Sequence, residues 1–364
     1  MKLYIPPPES KICANMANHM MPFRIEDHLW QYVSNPADAD IIPVMIYSTV
    51  DEIINELRSI YQGQTLAILN LFHMQDNQDF ELNTDMLANQ FSILTDRVTV
   101  VHQNQKNLNP KHVYYDIMWN LEKAYFVDNM FQKYPVGTWL WYSTERSYAL
   151  NELVPSKINC VNYLSPTRWY QEYADLPRMI ARRMLLDILK DYQGYYPNES
   201  NGYFLKPEDC NPSIDSVLVN KGSSCWLPAA NHYYETSYVS IYVESVTTGE
   251  LAGCITEKTY DPLIKGHFIL PFGYSGLVKD IHARGFQLPN WIDYSYDYIA
   301  DWQTRLDAWL SEAKRICEME SQFLTQCWIS DFHIIKHNRE LFTTRGYHEL
   351  HGQLRTQRER HAQT

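Results

Sequence analysis

Between Asp40 and His102 the chain alternates between two periods. Asp40 to Tyr47 is an apolar, β-branched run, and Val50 to Tyr61 carries its apolar residues at helical spacing. Thr65 to Phe72 then reads as a strand, Asp85 to Leu94 as a helix and Arg97 to His102 as a strand again. Parallel strands need a crossover between them, usually a helix, so this alternation predicts an α/β fold with a parallel sheet in Rossmann-like layers.

The rest of the chain extends the pattern less regularly. Tyr114 to Phe131 is expected to be helical, Thr138 to Tyr142 a strand, and Leu150 to Pro155 a linker. Lys157 to Leu164 opens a second set of elements, followed by a helix from about Leu176 to Tyr192. Asn198 to Asn231, with several Pro, Gly and Asn, is expected to be an irregular insertion. Asp301 to Cys317, Glu318 to Trp328 and Ile334 to Leu354 read as helices. The expected division is therefore residues 1–153, residues 154–332, and a terminal helix with a basic tail over residues 333–364.

Composition narrows the class. With 364 residues, 45% hydrophobic and 20% charged, the chain can bury two ordinary cores. A net charge of −12 argues against a globally basic nucleic-acid binder. The tail is the exception: Arg339, Arg345, Arg355, Arg358 and Arg360 face only Glu340, Glu349 and Glu359, which suits a solvated helix or a phosphate-contacting arm. The cysteines are odd in number and widely spaced, with no Cys-x-x-Cys, so neither a disulfide framework nor a zinc site is expected. No stretch is long and apolar enough for a membrane span, and the expected location is cytoplasmic.

The richest stretch runs from Ser240 to Phe286. Tyr238 to Val243 reads as a strand, with Glu244 and Ser245 at its carboxyl end, where open α/β sheets place ligands. A Gly- and Thr-containing loop leads to Thr256, which can cap a helix that begins near Glu257 and stops at Gly266. Free N–H groups there attract anions, and Lys258 adds a positive charge suited to a diphosphate. The same residues also make an ordinary helix cap. His267 to Gly273 completes strand, loop, helix, strand.

Glu244-Ser245, Ile255-Thr256-Glu257-Lys258, Gly266 and Phe272-Gly273 resemble the donor-binding half of the α1,3-fucosyltransferase family, without that family's Asn between Glu and Ser. The version here is closer to uncharacterised glycosyltransferase-like proteins that include bacteriophage examples, which similarly continue into Gly285-Phe286 and a Tyr-Asp such as Tyr296-Asp297. Asn35 to Val44 resembles an exostosin-type segment. Both resemblances imply a metal-independent GT-B fold: two Rossmann-like domains facing a cleft, with C-terminal helices crossing back.

The implied activity is transfer of a sugar from a nucleoside diphosphate sugar to an acceptor hydroxyl. The nucleotide sugar is a co-substrate and no other cofactor is expected. The acceptor stays open between a glycan and a hydroxymethylated DNA base, the latter suggested by the phage-like relatives and the basic tail. Arg183, with Arg178 as its competitor, resembles the arginine that relatives place over the diphosphate. Arg178, Arg183, Glu244, Ser245, Thr256, Glu257 and Lys258 are the donor-binding candidates. For the base, His73, Asp76 and His102 follow strand carboxyl ends, and Glu26 and Asp27 lie in an early loop. Asp38-Ala39-Asp40 has the Asp-x-Asp form of a metal-diphosphate site, but it precedes its strand, the wrong end for a ligand. The alternative to an enzyme is a non-catalytic nucleotide- or carbohydrate-binding module on the same fold.

Overall fold

The computed structural model describes residues 1–7, 10–12, 23, 27–45, 50–70, 84–102, 112–116, 119–120, 123, 159–162, 177, 180–181, 184–185, 188, 237–244, 247, 255–264 and 266–363. Its strands are β1 (Lys2–Tyr4), β2 (Gln31–Val33), β3 (Ile41–Met45), β4 (Thr65–Asn70), β5 (Val98–His102), β6 (His112–Tyr114), β7 (Asn159–Asn162), β8 (Ser237–Val243) and β9 (Phe268–Phe272). Its helices are α1 (Val50–Ile60), α2 (Thr84–Phe91), α3 (Glu257–Ile264), α4 (Leu277–Ala283), α5 (Trp302–Cys317), α6 (Ser321–Ser330), α7 (Phe332–Thr344) and α8 (Leu350–Gln363). The chain divides into two compact units, and Tyr347–Thr364 belongs with Met1–Leu121 in the first.

In the first unit six strands form one parallel sheet, ordered β2-β1-β3-β4-β5-β6. Its core holds Ile42, Val44, Leu66, Ile68 and Val100 from the strands, with Ile53 and Leu57 of α1 and Phe91 of α2. All five residues of β5 are buried, as expected of a strand covered on both faces. Each such aliphatic side chain contributes about 1.5–3 kcal/mol on burial. The alternation between Asp40 and His102 thus produces the expected parallel α/β layer. The strands β1, β2 and β6 were not legible as strands: each has three residues, too few to show a period. Tyr114 closes β6, where a helix start was expected.

The second unit contains the parallel sheet β7-β8-β9. Val239, Ile241 and Val243 of β8 and Phe268, Leu270 and Phe272 of β9 pack with Trp309, Ile316, Leu324, Trp328 and Ile335 of the helices. The described residues between 177 and 188 are helical, and Ala181 and Leu185 join this core.

β9 is an edge of the described sheet, and side chains cover it. The carbonyls of Ile269 and Pro271 accept from the hydroxyls of Tyr294 (2.8 Å) and Tyr296 (2.6 Å), and Gly273 accepts from Arg305 Nε (3.1 Å). Alternate carbonyls of a strand point the same way, so donors two residues apart on the covering segment match acceptors two apart on the strand. Burial pushes both tyrosine hydroxyls well above their usual pKa, so they remain donors.

One expected helix is two. Ile334 to Leu354 was read as continuous, but α7 ends at Thr344 and α8 begins at Leu350. Gly346 falls in the break. So does His348, whose backbone is held by the Asn120 side chain and is therefore unavailable for helical pairing. The expected linker at 150–155, the strand at 138–142 and the insertion at 198–231 lie outside the described residues.

Candidate functional site

The carboxyl ends of β8 and β9 carry the richest concentration of polar groups among the sequence-predicted residues. Glu244 follows β8 directly, and its N–H donates to Phe272 O at 2.7 Å. Its carboxylate is fully buried and accepts from Thr256 N at 3.0 Å, Thr256 Oγ1 at 2.6 Å and Thr259 Oγ1 at 2.8 Å. Tyr242 shares the Thr259 hydroxyl at 2.7 Å, and burial, then the nearby Glu244 charge, raises its pKa well above the ordinary value. A buried carboxylate requires such donors to offset its lost hydration. Glu244 therefore fastens the strand end to the start of α3.

Thr256 stands immediately before α3, and its hydroxyl oxygen lies 3.4 Å from Lys258 N and 3.5 Å from Lys258 Nζ. Lys258 is half-buried in the first turn. Behind the helix Tyr260, Phe286 and Phe342 form a triangle with ring centroids 5.4–6.0 Å apart. This aromatic support fixes the helix against α7. Glu257 opens α3, and only its backbone is described. Ser245, Arg178 and Arg183 lie outside the described residues, as do His73, Asp76 and Glu26.

Sequence reasoning missed Arg305, which lies on α5 and is 2% exposed. Its Nη2 donates to Thr247 O at 2.9 Å and its Nε to Gly273 O, while Nη1 donates to Ile299 O at 2.6 Å and Ala300 O at 3.0 Å. The guanidinium also stands 5.7 Å from the Phe272 ring centroid. It ties the loop after β8 to the loop after β9, and burial lowers its pKa. No local motif marks an arginine whose partners are all backbone carbonyls.

Asp297, part of the Tyr-Asp pair singled out above, is 2% exposed and receives Lys279 N at 3.3 Å in the first turn of α4. Burial raises its pKa, while the N–H groups of Val278, Lys279 and Gly276 and the charge of Arg305 oppose the rise. Gly276, at φ +91°, turns the chain into this helix, and Asp297 supplies from a distance the cap its own residues lack.

In the first unit His102 ends β5 and is 1% exposed, with its ring 5.8 Å from that of His112 and 6.4 Å from that of Tyr114. Asp38 and Asp40 stand at the amino end of β3. Asp38 accepts from Asn35 Nδ2, whereas Asp40 accepts from Lys2 N at 2.8 Å and pairs with Arg358 at 2.7 Å. The Asp-x-Asp segment thus secures β1 and α8. Among the described residues no group of His, Cys, Asp and Glu forms a metal-binding cluster, and no helix is long and apolar enough to cross a membrane. No protein-family model matches this chain, and a search of curated proteins finds no match.

Proposed function

We propose that this chain is a GT-B glycosyltransferase that moves a sugar from a nucleoside diphosphate sugar to an acceptor hydroxyl. The observation that carries the reading is the opening of α3 at the carboxyl end of a parallel strand, with Lys258 in its first turn and Thr256 locked to the buried Glu244. In this reaction the acceptor oxygen attacks the anomeric carbon as the bond to the diphosphate oxygen breaks. The leaving diphosphate takes the electron pair, and a base takes the acceptor proton. The Lys258 ammonium, in the first turn at the positive end of the α3 dipole, is suited to the departing charge. Asp40, already tied to Lys2 and Arg358, is a poor donor for a metal-diphosphate site.

Thermal-shift binding against a panel of nucleoside diphosphates and their sugars tests the proposal, with Lys258→Ala as control. A selective shift that the variant loses supports the donor site and names the nucleotide. No shift with any member rejects it. Turnover of the donor that binds then separates an enzyme from a non-catalytic binding module.

A further inference from the structure

The cluster around Glu244 fixes the direction of every hydroxyl proton in it. A carboxylate only accepts, so Thr259 spends its one hydroxyl proton on Glu244 Oε1 at 2.8 Å and Thr256 spends its own on Oε2 at 2.6 Å. Thr259 then has only lone pairs left for Tyr242, whose phenol must donate at 2.7 Å. Burial keeps that phenol protonated. The hydroxyl protons of Tyr242, Thr259 and Thr256 therefore all run toward the one carboxylate.

The consequence falls on Thr256. With its proton turned inward to Glu244, its hydroxyl oxygen offers only lone pairs elsewhere. On that side lie Lys258 N at 3.4 Å and the Lys258 ammonium at 3.5 Å, both of them donors. Glu244 is fully buried and Thr256 nearly so, whereas Lys258 is half-buried. Exposure thus rises from the carboxylate to the ammonium, which is the member of the chain that a ligand can reach.

We propose that Glu244 and Thr256 are positioning residues: the carboxylate sets the Thr256 hydroxyl as an acceptor, and Thr256 aims the Lys258 ammonium at an anionic ligand without touching that ligand itself. The use of the ammonium for a diphosphate rests on the glycosyltransferase reading; the order of the protons does not.

Acylation of Lys258 in the full chain, followed by mass spectrometry, reads the hold on the ammonium without any ligand. Thr256→Val should speed it about threefold or more, because the nitrogen no longer has to leave an acceptor before it reacts. Thr256→Ser should keep the parent rate. Glu244→Gln, which turns the Thr256 proton outward, should speed it as well. Thr259→Val removes a bond to the same carboxylate but leaves Thr256 in place, so its rate should stay within about twofold of the parent. An unchanged rate in both Thr256→Val and Glu244→Gln, or an equal rise in Thr259→Val, overturns the proposal.

Binding of ADP, GDP, CDP and UDP, each in turn, then separates aiming from contact. For a diphosphate that binds the parent, Thr256→Val should weaken affinity about fivefold or more, and should cost nothing further in a Lys258→Ala background. An equal loss in both backgrounds would mean that Thr256 touches the ligand, and overturns the proposal. If the acylation rates move as expected and no diphosphate binds, the donor reading falls and the hold on Lys258 stands.

Discussion

The side chain of Asn120 grips the backbone of His348 from both sides. Its Nδ2 donates to the His348 carbonyl and its Oδ1 accepts from the His348 N–H, each at 2.9 Å, across 228 positions of sequence. Asn120 is fully buried, and the Tyr114 and His348 rings meet edge-on at 5.3 Å. This amide stands in for a stretch of β-ladder and anchors the segment leading into α8. Leu350 and Leu354 are fully buried beyond it.

Asn120→Ala removes both bonds and leaves a cavity. With each buried bond worth about 1 kcal/mol, stability should fall by about 2–3 kcal/mol. Amide exchange should show α8 opening more readily than α5. Equal protection of α8 in variant and parent would contradict the anchoring role.

Glu244→Gln keeps the shape of the side chain but removes its charge and sets an amide N–H₂ against the Thr256 hydroxyl, which must then turn from donor to acceptor. A loss of about 1–3 kcal/mol in urea unfolding is expected. A change below about 0.5 kcal/mol, typical of an exposed position, would show that the carboxylate is not committed to α3.

Arg305→Met leaves the Thr247, Gly273, Ile299 and Ala300 carbonyls without their donor. The expected cost is about 3–5 kcal/mol, as for other broken buried charge networks. Arg305→Lys should recover only part of it, because one ammonium cannot span carbonyls arranged around a planar fork. Full recovery by lysine in a denaturation series would refute that geometric argument.

Asp297 and Asp301 should give pH dependences of opposite sign. Burial raises the pKa of Asp297, so its folded form favours the proton; stability is fully present below the unfolded value of 3.8 and is lost as pH rises through the folded value. Asp301 caps α5 by accepting from Thr304 N at 2.8 Å, which lowers its pKa; its contribution is present above 3.8 and is lost as pH falls through the depressed value. Asp297→Asn should therefore flatten the decline of stability with rising pH, and Asp301→Asn should flatten the loss on acidification. Unfolding curves of both variants across the acid range check the signs, and equal slopes would show that these shifts do not govern the titration.

Legibility followed length and locality. The helix expected from Glu257 until Gly266 is observed as Glu257–Ile264, and Gly266 has φ +78°, as a helix stop requires. The strand expected from Arg97 is observed as Val98–His102. These elements carry their own period or cap, so local sequence suffices. Glu244 was legible as a strand-end carboxylate, but its partners Thr256 and Thr259 lie on the next helix, and only the fold shows that they enclose it. Arg305 and Asn120 were missed for the same reason: their partners are backbone groups distant in sequence.

The donor row along β9 has a consequence for how copies of this chain meet. An open strand edge is a template on which another strand can zip. Here Tyr294, Tyr296 and Arg305 already occupy the carbonyls of Ile269, Pro271 and Gly273, so a newcomer would find its acceptors taken. The segment that finishes the sheet also works as its gatekeeper against self-association at high concentration.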